Sequence, residues 1–129
     1  MAVKDFWGEF QLETVRTPLQ ILREQAAALG PKTKNLVEAE VSSSSQGDKF
    51  QHRLDLVVPT FDGYRYHLLT LIHDIKLFPV TVYYPINEAL SLQVRSEDEL
   101  NSALQKALSA EQTKQIISRL AVHASAMAS

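Results

Sequence analysis

Cysteine is missing from all 129 residues, which excludes disulfides, thiolate zinc sites and thiol nucleophiles together. Glycine is scarce. The four in the chain fit neither G-x-x-x-x-G-K-[ST] nor G-x-G-x-x-G, so no phosphate cradle of those kinds is expected. There is no excess of either charge: 13 Lys and Arg stand against 15 Asp and Glu, net −2. No global field therefore draws the chain to nucleic acid or to an anionic membrane. No run of about eighteen apolar residues occurs, so no transmembrane helix is expected. The opening MAVKDFWGEFQLETV lacks the uninterrupted apolar core of a signal peptide, and the expected location is the cytoplasm.

The residues present give clear folding signals. The length suits one ordinary core, so one domain is expected over 1–129. Thr17 can cap free amides and Pro18 suits a first helical position, with Leu19, Leu22, Ala26 and Leu29 on one stripe. Gly30 and Pro31 predict the stop, giving a helix over 17–29. Residues 1–16 form either an arm, with Phe6, Trp7 and Phe10 close together, or an extra helical turn. From 36 to 94 the period falls to two. Val37, Ala39 and Val41 alternate with polar residues, and Phe50, His52, Leu54, Leu56 and Val58 form the apolar set of a second strand. A tight turn at Gln46 and Gly47 would pair Glu40 with Arg53 and Ala39 with Leu54. The serines at 42–45 read as a solvated hairpin end.

Leu68, Leu69, Thr70, Leu71 and Ile72 are almost continuously apolar, as in a central strand covered on both faces. Phe78, Val80, Val82 and Tyr84 predict a fourth strand, with Pro79 at its start or on an edge. Residues 90–94 alternate as a short fifth. Ser96 and Glu99 form a capping box, with acidic residues at 97–99 where the helix dipole favours them. Ser109 with Gln112 repeats the device, so two helices run nearly end to end, and 122–129 are expected to fray. The fold class is α+β: a four- or five-stranded antiparallel meander with one N-terminal and two C-terminal helices on one face.

The chemistry-bearing residues cluster around the third strand. His67 and His73 share a strand face but lie about 20 Å apart, too far to hold one metal. If Asp62 and Gly63 close a two-residue hairpin, His52 falls directly opposite His73, close enough to hold a metal or share a proton. His52, His73 and Asp74 are then the candidate acid-base residues, and His52 with His73 the candidate metal pair. The favoured reading is half-buried histidines near the sheet ends, with no catalytic residue among them. Two ligands are few for zinc, so no metal and no cofactor is expected. No G-x-S-x-G elbow surrounds Ser109 or the serine run. Trp7, Tyr64, Tyr66 and Tyr83 offer an aromatic surface. Without interleaved cations beyond Arg65 it suits protein better than nucleic acid, and ordinary strand composition explains the tyrosines more simply than either.

The stretch SEDELNSALQKALSAEQTKQIISRL, with the preceding FPVTVYY, resembles a pattern carried by small uncharacterised bacterial proteins. The resemblance implies a bacterial, cytoplasmic origin and brings no catalytic residue or ligand. The expected function is a non-catalytic protein-binding or regulatory module, antitoxin-like or immunity-like, with a protein partner or self-association, no nucleic acid and no membrane. Nothing selects a small-molecule ligand. The rivals are a small metal-dependent or acid-base hydrolase using the His52/His73 pair, and a secretion-chaperone-like dimer.

Overall fold

Thr17 starts the first helix as its chemistry requires: its hydroxyl accepts the Gln20 N–H at 3.1 Å, while the Gln20 side chain accepts the Thr17 N–H at 2.9 Å. The computed structural model describes residues 5–85 and 90–128. Residues 5–17 precede this helix as an irregular, exposed arm rather than an extra helical turn. Helix α1 spans Pro18–Lys32, three residues past the expected stop, and carries Gly30 and Pro31 in its last turn. So near a helix end, the missing proline donor breaks little. Thr33 closes the helix instead: its N–H reaches the Leu29 and Gly30 carbonyls, and its hydroxyl ties down Val37 on both sides.

Five antiparallel strands follow: β1 (Glu38–Gln46), β2 (Lys49–Val58), β3 (Tyr64–His73), β4 (Val80–Tyr84) and β5 (Leu90–Val94), ordered as a meander with β3 in the centre. Helices α2 (Glu97–Leu108) and α3 (Glu111–Ala128) complete an α+β fold. Leu54, Leu69, Leu71 and Val80 form a fully buried floor beneath Leu22 of α1 and Leu100 and Leu104 of α2. Each such side chain contributes about 1.5–3 kcal/mol by leaving water. None of the described helices is long and apolar enough to cross a membrane.

Strand register departs from the sequence expectation at both hairpins. The β1–β2 turn falls on Gly47 and Asp48, because Gly47 at φ 62° supplies the positive φ that a two-residue turn needs first. Glu40 therefore faces Asp55 and Ala39 faces Leu56, two places along from the expected pairs and with the same parity. The serines at 42–45 form the exposed end of β1 beside this turn, a solvated hairpin end as expected. Between β2 and β3 the link is five residues rather than two: a 3-10 turn over Pro59–Phe61, then Asp62 and Gly63 at φ 57° and 68°. Val58 thus faces Tyr64. Farther along, Leu54 faces Leu69 while Asp55 faces His67, so Leu68 is an extra residue, a β-bulge.

The C-terminal stretch also differs from expectation. Ser109 does not cap α3; its hydroxyl donates back to the Gln105 carbonyl. The junction is held by a buried chain in which Thr113 donates to the Ala107 carbonyl at 2.6 Å and Tyr84 of β4 hydrogen-bonds the Thr113 oxygen. Residues expected to fray are helical to Ala128, because α3 docks on the 3-10 turn: Ala124 is fully buried, its carbonyl accepts from Thr60, and His123 meets Phe61 edge-on.

Candidate functional site

The histidine pair forms, by a route other than the expected one. His52 faces Leu71 and His73 faces Phe50, so the two are diagonal neighbours rather than opposite residues. Diagonal neighbours on one face remain within reach of long side chains. Their rings lie 5.0 Å apart and their Nε2 atoms 2.9 Å apart, with both residues buried. Phe50 stacks on the outer face of His73 at 5.5 Å.

Hydrogen bonding sets the tautomers. His73 Nδ1 lies 2.7 Å from the Asp74 carbonyl, which only accepts, so this nitrogen carries the proton. The neutral His73 ring then offers Nε2 as an acceptor. His52 Nε2–H donates to it, and His52 Nδ1 accepts the Ser43 hydroxyl at 2.8 Å. A directed chain thus runs from exposed Ser43 through two buried imidazoles to a backbone carbonyl, and all four ring nitrogens are occupied. The Asp74 carboxylate takes no part. It accepts the Lys76 N–H at 2.8 Å and caps the following turn. Burial, then neighbouring His73 and Arg23 of α1, push the His52 pKa down to about 4. Among the described residues no group of three or more His, Asp or Glu side chains is placed to hold a metal ion. A metal at the pair would have to displace the hydrogen bond between the rings.

The opposite sheet face carries a second polar cluster. Asp55 is buried and receives Arg53 Nε at 2.8 Å and Arg65 at 3.6 Å, while Arg65 also holds Glu40 at 2.7 Å. One guanidinium thereby spans the two carboxylates that the register sets face to face. Next to it, His67 Nε2 meets the Thr70 hydroxyl at 2.6 Å and the ring stacks on Tyr83. Burial and Arg53 lower the His67 pKa.

The aromatic residues do not form one surface. Tyr83 lies on the face with His67, whereas Tyr64 and Tyr66 follow the face of Leu56 and Val58. They line a cavity of about 390 Å³ together with Val58, Phe61, and Ile116 and Leu120 of α3. Arg119 and His123, one helical turn apart, bring the polar groups to this apolar site. Trp7 stands apart on the arm, 80% exposed. The sequence offered Ser43 only within the serine run, without its contact to His52, and gave no sign of Arg119 and His123 beyond their spacing on an apolar helix. A larger cleft, about 750 Å³, opens between α1 and α2 above Leu54 and Leu68. Comparison with protein-family models, curated proteins and solved structures finds no match to this chain.

Proposed function

We propose that this protein is a non-catalytic binding module that works by associating with protein, copies of itself included. The observation that carries this reading is the arm, where Phe6 is 92%, Trp7 80% and Leu12 87% exposed, with Phe10 and Val15 exposed beside them. Single exposed apolar side chains need no explanation, but a contiguous set of this kind marks an interaction site. Regulatory, antitoxin-like, immunity-like and secretion-chaperone-like roles are forms of the same reading, in a bacterial cytoplasmic setting. The test is sedimentation of the full chain against the triple variant Phe6→Ser/Trp7→Ser/Phe10→Ser. Association that the triple variant loses is expected. A wild-type chain that stays monomeric over a wide concentration range, and that purifies from its source without a protein partner, ends the proposal.

One observation favours a hydrolase reading built on His52 and His73: the Ser43 hydroxyl donates to His52, and His52 is oriented by a further acceptor, the polarity of an activated nucleophile. The lowered pKa of His52 weighs against it. A base at about 4 holds a proton roughly a thousandfold less well than one matched to pH 7. Ester turnover by the purified protein, lost in Ser43→Ala, would reverse this ranking.

A further inference from the structure

The acidic aromatic arm and the aromatic cavity with its Arg119 are complementary, and we infer that the arm of a second copy docks beside α3, with Trp7 in the cavity and Asp5 and Glu9 against Arg119 and the neighbouring His123 ring. This deepens the self-association reading and rests on it.

The arm is shaped to present Trp7. The Asp5 carboxylate accepts the Trp7 N–H at 2.9 Å, a local turn, and Gly8 follows at φ 76° with open space around it. Residues 5–13 hold three carboxylates, Asp5, Glu9 and Glu13, and no Lys or Arg. The cavity is the converse. Phe61 and Tyr64 stand 43% and 48% exposed at its wall, no carboxylate lines it, and Arg119 has no ion pair among the described residues. At about 390 Å³ it falls within the size range of sites that enclose a compact aromatic group. Its aromatic wall also selects this site over the cleft beside α1, whose described lining residues include no aromatic side chain and do include a carboxylate, Glu24.

Buried area points to a reciprocal exchange. Three aromatics at about 150–250 Å² each give roughly 450–750 Å² per arm. Two arms exchanged across a twofold axis therefore supply about 900–1,500 Å² before their docking faces are counted, enough to reach the size of a stable interface.

Charge reversal of exposed residues tests this in the full chain. One variant carries Asp5→Lys/Glu9→Lys and the other Arg119→Glu/His123→Glu. Each is expected to weaken dimerisation at least about tenfold in sedimentation velocity, because like charges then meet in the homodimer. Mixing the two restores both contacts, so the equimolar mixture regains the dimer. Trp7 is the only tryptophan, so its emission should shift to the blue as the wild type dimerises and in the mixture. A wild-type dimer insensitive to both reversals overturns the docking site while leaving the self-association reading standing. A wild-type chain monomeric at every concentration overturns both, and a concentration-independent blue shift would then place the arm on its own chain.

Discussion

His52 and His73 face each other through Nε2 atoms 2.9 Å apart, and only one of the two nitrogens can hold the shared proton. The buried pair is therefore built for the neutral state of His52, whose folded pKa lies near 4 against an ordinary 6.5. Between those values the unfolded chain binds a proton that the folded chain refuses. Stability is then fully present above about pH 6.5 and falls as pH drops toward 4, by about 2–3 kcal/mol at most. Urea unfolding from pH 7 to 4 should show the loss. His52→Leu should be less stable at pH 7, where it strands His73 Nε2, yet flatter with pH. His67, also lowered, leaves a residual slope. An unchanged slope in His52→Leu would remove the pair as its source.

The Tyr84 and Thr113 hydroxyls form the buried link between sheet and C-terminal helices. Thr113→Val keeps the shape and strands the Tyr84 hydroxyl, at an expected cost of about 1–3 kcal/mol. Tyr84→Phe/Thr113→Val removes both partners and should cost less than the two single changes added together. Strict additivity in chemical denaturation would show that the link contributes nothing as a pair.

Asp55 has two guanidinium partners, and either can serve it. Arg53→Met or Arg65→Met alone should cost under about 1 kcal/mol, as half-exposed ion pairs do. Together they leave a buried carboxylate without a cation, and the double variant should lose more than the sum, by about 1–3 kcal/mol. A double-mutant cycle with no coupling would contradict this sharing.

The element order was legible because each signal was local: Thr17 and Pro18 at a helix start, alternation through Ala39 and Leu54, and Ser96 three residues before Glu99. Register was not, because it depends on where the chain turns and where it bulges. Asp62 and Gly63 are both strong turn residues, yet Pro59 begins a 3-10 turn before them and lengthens the link. The bulge left no mark at all: Leu68 and Leu69 are both buried, so the apolar run hides the change of phase. That change brings the histidines together. On the register set by Val58 and Tyr64, His52 would face Thr70, and His73 would point to the other side of the sheet. Of the expected aromatic surface, the fold keeps Tyr64 and Tyr66 together and sets Tyr83 on the other face. Period-two reasoning assigns a face within a strand and says nothing of which helix closes over it.

Strand β3 reaches from the aromatic cavity at Tyr66 to the imidazoles at His73, seven residues and about 23 Å of extended chain. At physiological ionic strength charges are felt across about 8 Å. The two ends of one strand are therefore electrically deaf to each other. The protonation that weakens the fold at His52 is thus not felt at the aromatic cavity on the far end of the same strand.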